Sequence, residues 1–521
     1  MPAYPTANIP QANSVNWQQE YIRHLRFRMN ASRQFIAGSP KADNAKHLRS
    51  FLALLDEARR YPETAEESLA LIQCLHPAPL KLGLGSQWIS QMQFAIKHLP
   101  ADQSAGIYRN DLAEFLISEG KFQEAVNETE LVLADVLSNG DQISRACRIQ
   151  FRCFRDMGQP DLADQLVQQQ GPRFNAFYPA SQVPPELVKG WLWINICRLE
   201  LLREQGKVDE ALKLANEMID LDVQAGSPDG LMTAELFARR STLEWVTARY
   251  PRAVADVNRS IELYRQEDDL FNAESLQSNL GLIYWTMGEF DLAEKALWAA
   301  INYFRRTGAL QLLTYDLGNM GLVQFARGNL QLARQWTEEQ IAHADKIGFF
   351  TEYYRGRSNL GDILYYFGEY DRAIEEHAIS DAFFEKRGSR EGYGMGVVWV
   401  ACCNYQLGRK EAALQQLQDV LFWTIENRSR VLEALTRRCL AHFLPFEERE
   451  AHLQISLNLV RTQGRQLEEA ACLLALAQVT QDEAHRQEIW QEGVGILKRI
   501  GATAWLKGHS IDDPPFIPMF V

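Results

Sequence analysis

No stretch of the 521 residues approaches 18 uninterrupted apolar positions, so the sequence predicts no membrane span. Met1 to Ser14 is polar and carries prolines, without the basic start and apolar run of an export signal, and reads as a disordered leader. None of the eight cysteines forms a C-x-x-C pair, which disfavours a disulfide framework or a zinc knuckle. The expectation is buried, reduced thiols in a cytoplasmic protein. The ten histidines are scattered, with no H-E-x-x-H and no Cys/His ligand spacing, so no metal site is expected. There is no G-x-x-x-x-G-K-[ST] loop, no G-x-S-x-G elbow and no glycine-rich dinucleotide fingerprint after a strand. Catalytic residues and cofactors are therefore expected to be none, and the chain reads as a binding protein rather than an enzyme. Cys402 and His377 fall in different predicted helices, the first expected in the core and the second at the surface, and do not read as a nucleophile–base pair. Basic residues are also in deficit, 54 Lys and Arg against 67 Asp and Glu for a net charge of −13. Holding phosphate backbones needs clustered cations, so nucleic acid is an unlikely partner on this balance.

What the chain does have is a recurring signature. Gly120, Gly158, Gly206, Gly288, Gly328, Gly368 and Gly408 are each followed five residues later by an alanine, and Ala248 with Ala253 fills the vacant place in the series. From Ala248 to Gly408 every step is forty residues. Each such unit is a small supersecondary element that must stack on its neighbours to bury its apolar face. The predicted class is all-α, a right-handed α-solenoid of helix–turn–helix repeats. Residues 1–16 form the leader, and 17–101 an N-terminal helical cap without the signature. The array runs over 102–427. Residues 428–507 continue as degenerate helical pairs, and 508–521 form an apolar, proline-rich tail expected to fold back rather than hang free. Four prolines and a glycine within 171–185 mark an inserted loop.

Within one repeat, Asn279-Leu-Gly-Leu-Ile-Tyr-Trp-Thr-Met-Gly-Glu-Phe-Asp-Leu-Ala293 places Leu280, Ile283 and Tyr284 on one stripe. Gly281 is small where a second helix must approach, and Gly288 supplies the turn. Gly308, Gly348 and Gly388, again forty apart, suit left-handed helix ends. The pattern Leu-Gly-x-x-Tyr-x-x-x-Gly-x-Phe-x-x-Ala resembles the tetratricopeptide (TPR) repeat over about residues 102–506. Its forty-residue period is similar to that of kinesin light chain and of the solenoid arms of bacterial signal-transduction (STAND-type) ATPases such as the maltose-regulon activator, here without the ATPase loop.

That resemblance implies an interaction scaffold or sensor that receives an extended protein or peptide segment in a groove. Asn279, Asn319 and Asn359 occupy one register position in three successive repeats, and in TPR proteins that position lies on the concave face of the first helix. An asparagine there pairs with both polar groups of a peptide backbone. Tyr315, Arg355 and Asp362, about one turn from the asparagines, are candidates for selectivity. The residues just before the asparagines are Ser278, Gly318 and Ser358, so a doubly basic carboxylate clamp is not expected. A second ladder, Trp245, Trp285, Phe325, Tyr365 and Tyr405, reads as aromatic plugs between repeats. Tyr365 is retained as a peptide-binding candidate through its hydroxyl. The alternative is a bacterial regulatory subunit whose signalling or defence effector, an ATPase or protease, is encoded separately.

Overall fold

The computed structural model describes residues 16–38, 41–76, 85–118, 121–226, 229–386 and 390–517. Most of the expected leader, residues 77–84, Gly120 and Gly388 lie outside them. Among the described residues the chain is all helical, with 24 α-helices and no strand. These are α1 (Trp17–Gly38), α2 (Lys41–Ala58), α3 (Ala65–Leu75), α4 (Gly85–His98), α5 (Gly106–Ser118), α6 (Phe122–Ala134), α7 (Gly140–Asp156), α8 (Pro160–Gln170) and α9 (Val188–Glu204). There follow α10 (Val208–Gln224), α11 (Gly230–Val246), α12 (Tyr250–Gln266), α13 (Leu270–Thr286), α14 (Phe290–Thr307), α15 (Leu310–Ala326), α16 (Leu330–Ile347) and α17 (Phe350–Tyr366). The last are α18 (Tyr370–Lys386), α19 (Arg390–Gln406), α20 (Lys410–Glu426), α21 (Arg430–Phe443), α22 (Phe446–Thr462), α23 (Gln466–Val479) and α24 (Glu483–Arg499). None is long and apolar enough to cross a membrane. The chain divides into two compact units, Met1–Leu201 and Leu202–Val521, the boundary falling inside α9.

The first unit packs its helices around Leu25, Met29, Leu55, Leu71, Trp88 and Met92, all buried. Helix α7 starts from a capping box: the Asn139 side chain accepts from the Gln142 N–H at 2.9 Å, and the Gln142 side chain accepts from the Asn139 N–H at 3.0 Å. The inserted loop is not helical beyond three short 3₁₀ turns, and it is part of the core. Phe174 and Ala176 are buried beside Ile143, Cys147, Phe151 and Ile194, and Gly190 is small where Phe174 crosses it. Buried charge here is paired. Asp111 accepts from Arg145 at 2.8 Å and meets His76 at 2.5 Å, while Glu114 bridges Arg145 and Arg148. All eight cysteines are free, and seven are buried as expected; Cys74 is exposed, on the outer face of α3.

In the second unit the glycine–alanine signature has a direct physical meaning. Gly288, Gly328, Gly368 and Gly408 stand at φ between 73° and 84°, a left-handed conformation that ends the first helix of each pair. Gly308 and Gly348 end second helices the same way. The alanines at 253, 293, 333, 373 and 413 have no exposed surface, because the second helix crosses the first at that point. A side chain on Gly281 would meet Leu297 at 2.8 Å and the Ala293 carbonyl at 3.4 Å. First helices of neighbouring repeats also touch one another, α13 to α15, α15 to α17, α17 to α19 and α19 to α21, which makes them one continuous layer.

The C-terminal part of this unit returns to the turns of earlier repeats. The Tyr250 hydroxyl donates to the Gln463 carbonyl at 2.8 Å, and Gln466 Nε2 donates to the Met287 carbonyl at 2.6 Å. Trp505 Nε1 donates to the Ala326 carbonyl at 2.9 Å, across 179 residues of sequence. The tail then runs on without helix to bury Pro515 and Ile517, with Phe516 against Tyr365 and Trp399. It folds back, as its apolar composition requires.

Candidate functional site

The asparagine register falls on α13, α15 and α17 of the first-helix layer, but the three side chains differ in surroundings. Asn279 is exposed, Asn359 is half-buried, and Asn319 is only 5% exposed. Asn319 hydrogen-bonds the carboxyl of Asp316, one turn back on α15, and Asp316 also accepts from the Ser278 hydroxyl at 2.9 Å. The carboxyl of Asp316 is fully buried. Burial pushes it up to about 7, against the opposing pull of the Ser278 and Asn319 hydrogen bonds.

Tyr315 and Arg355 are brought together. The Arg355 guanidinium carbon lies 5.4 Å from the exposed Tyr315 ring, and the Phe349 ring stands edge-on to Tyr315 at 5.2 Å. Arg355 is held in place by Glu352 at 2.7 Å, itself buried and accepting from Gln340 Nε2 at 3.0 Å. Gln340 reaches that place only because Gly318 and Gly356 leave room; side chains there would meet it at 2.5 and 3.2 Å. This polar layer of Ser278, Asp316, Gln340 and Glu352 is absent from the sequence reading. Its one available signal was the pair of glycines inside first helices, where packing of a long second-helix side chain demands the space.

Asp362 and Tyr365 do not join that surface. Asp362 is 9% exposed and faces His377 Nε2 at 3.3 Å. Burial and the neighbouring Asp381 carboxylate raise the Asp362 carboxyl well above its ordinary range, while burial lowers His377 to about 4. Both directions favour the uncharged forms, and with His377 lowered to about 4 the contact is not an ion pair near pH 7. His377 is not the surface histidine that its helix pattern suggests. It has no exposed surface, because Gly361 opens a slot that a side chain would close at 2.6 Å from Nε2. Tyr365 is 7% exposed; its ring packs on Trp399 at 5.4 Å and its hydroxyl accepts from Gln406 at 3.2 Å. The rest of that ladder behaves alike. Trp245 donates to Thr286 at 3.2 Å, Phe325 lies beside Tyr366 and Trp505, and Tyr405 stacks on Phe443 at 3.9 Å. Each aromatic plugs the joint to the next repeat or to the returning C-terminus.

No protein-family model and no curated protein sequence matches the chain. Among solved structures, it is similar to a Rap protein complexed with Competence and Sporulation Factor, at 12% identity over 69% of this chain and 99% of that one, with a TM-score of 0.53. The fold is a tetratricopeptide-type solenoid. Lower scores relate it to a signal-transduction ATPase with a tetratricopeptide repeat sensor from Pyrococcus horikoshii (14% identity, 85% and 74% covered, TM-score 0.42). They also relate it to aspartyl phosphate phosphatase F from Bacillus subtilis (13% identity, 81% and 98% covered, TM-score 0.40). The Rap likeness is one of fold, and the two lower scores carry no argument.

Proposed function

We propose that the second unit is a receptor for an extended segment of a protein or peptide partner, bound along the first-helix layer of α13, α15 and α17. The observation that carries this reading is the Tyr315–Arg355 pair. An aromatic ring and a guanidinium stand at the surface of adjacent first helices, the guanidinium held by buried Glu352 and the ring packed edge-on against Phe349. Pre-set side chains of this kind reduce the ordering cost of recognition. Asn279 and Asn359 pair with the segment's backbone, and Asn319 supports them through Asp316. Asp362 and Tyr365 hold α17 from the interior and touch the ligand only if α17 shifts. The fold neighbour solved with Competence and Sporulation Factor supports a solenoid of this type as a receptor. Binding alone is the activity, and its readout passes to whatever protein the complex engages.

The test compares wild type with the Asn279→Ala/Asn319→Ala/Asn359→Ala variant in affinity capture from host lysate, read by mass spectrometry, with circular dichroism to confirm folding. A partner lost from the folded variant and from Arg355→Ala supports the reading. A partner retained by both moves recognition off this layer and sinks it.

A further inference from the structure

Arg438 of α21 is 2% exposed, yet its Nε and Nη2 donate to nothing and no carboxylate of the described residues pairs with it. A guanidinium does not shed its proton, and a buried charge without a counter-charge carries a heavy desolvation penalty. What it does touch is the ring of Phe516 in the tail, 5.3 Å from Cζ. That contact offsets a part of the penalty only. Two neighbouring buried polar groups, the Tyr366 hydroxyl and the donor Trp399 Nε1, also lack partners.

A cavity of about 20 Å³ opens beside the guanidinium, lined among others by His442, Arg449, Gln478, Pro515 and Phe516. It holds a group about the size of a water molecule. No carboxylate lines it. Arg449 donates through Nε to the Leu444 carbonyl at 2.8 Å, which leaves its terminal nitrogens for a ligand. Gln478 is held at the rim by the tail, donating to the Asp512 carbonyl at 3.0 Å. Asp513, the next acid along, turns its carboxylate out to solvent beside His509.

We propose that this cavity is an anion site, in which Arg438 and Arg449 hold one small monovalent anionic group, a halide or a carboxylate, beneath the strap Pro514–Phe516. The anion supplies the counter-charge that no described residue gives Arg438, and its binding fixes the strap over the α21–α23 corner. Occupancy and tail docking are thereby one equilibrium.

The experiment follows the thermal unfolding of the full chain in chloride and, separately, in acetate, with ionic strength held constant by a bulky sulfonate. A rise that grows with the logarithm of anion concentration above the dissociation constant, roughly 2 °C at several times that constant, is expected for wild type, and no rise for Arg438→Met. A response to chloride alone identifies a halide site, and a response to acetate a site for a carboxylate group. No response to either anion, or the same response in Arg438→Met, overturns the proposal. Should Arg438→Met fail to fold, Arg449→Gln carries the test. About tenfold more anion should then be needed for the same shift, and an unchanged requirement rejects the site.

Discussion

The two units bury charge differently. In the first, every member of the central cluster has a partner: Asp111 takes Arg145 and His76, and Glu114 takes Arg145 and Arg148. In the second, Asp316, Asp362, Asp381 and Arg438 are buried with no carboxylate–cation partner among the described residues, and all four carry side-chain polar atoms with no hydrogen-bond partner. A closed ion network is a structural device, and it makes its region intolerant of single deletions. Isolated buried polar groups are costly to fold and are kept where an exposed surface or a ligand depends on them. The unpaired groups lie in the unit that carries the proposed binding layer.

The largest effect that would break this contrast is Asp111→Ala. It strips Arg145 and His76 of their buried acceptor together, and removing one partner of a buried pair costs about 3–5 kcal/mol. Hydrogen exchange should quicken through α5 and α7. Arg438→Met, the corresponding change in the second unit, removes a charge that has no partner to orphan. In buffer free of small anions it should be neutral or stabilising. If both substitutions cost the same, the distinction between the units fails.

Next in size is the pH response, where the units should differ in sign. Burial works to raise the Glu114 carboxyl, but Arg145 and Arg148 outweigh it and hold the group down to about 2. Its stabilising contribution is present above the ordinary carboxylate range and is lost as pH falls toward 2. Asp316 goes the other way, raised by burial to about 7, and Asp381 is raised to about 7 by burial and by Glu385. The folded state therefore holds those protons more tightly than the unfolded chain, and stability is full below about 4 and lost as pH climbs to 7. Asp316→Asn keeps an acceptor for Ser278 and removes this loss. The variant should exceed wild type by on the order of 2 kcal/mol at pH 8, with the gap closing near pH 4 in urea unfolding. A gap that stays constant with pH would show that Asp316 is not protonated in the fold.

Much of the second unit was legible because its repeat writes one local rule over and over. Glycine at the turn and alanine at the crossing describe a contact within one helix pair, and such contacts depend on neighbours in sequence. Trp505 on the Ala326 carbonyl, and Phe516 among Tyr365, Trp399 and Arg438, depend on how many repeats bring the chain back to itself. No periodicity encodes that return. His377 was misplaced for a related reason. A helix pattern averages over a face, whereas burial of this one imidazole follows from a single glycine, Gly361, on the facing helix. The site shows the same division. Tyr315 and Arg355 were candidates by their spacing from the asparagines, while the Gln340–Glu352 support beneath Arg355 was not legible, because it joins a second helix to the first helix of the following repeat.

The smallest test sharpens the comparison among repeats. Ala248 occupies the turn place that glycine fills in the four units that follow, and it does so at φ of 56°. A left-handed alanine costs about 1–2 kcal/mol. Replacing it with glycine relieves that strain but gives the unfolded chain more freedom, an opposing effect of about 0.4–1 kcal/mol. Ala248→Gly should therefore gain roughly 0.5–1 kcal/mol. Gly368→Ala is the reciprocal case. A side chain there meets nothing within 4 Å, so backbone conformation alone sets its cost. It should lose about as much as Ala248→Gly gains, and urea midpoints of the two variants measure both. If Gly368→Ala loses several times more, then the turn glycines carry a packing role that open space around residue 368 does not reveal. If neither substitution moves the midpoint, the glycine in the signature is not there for its backbone, and the alanine at the helix crossing is the half of the pair on which the repeat depends.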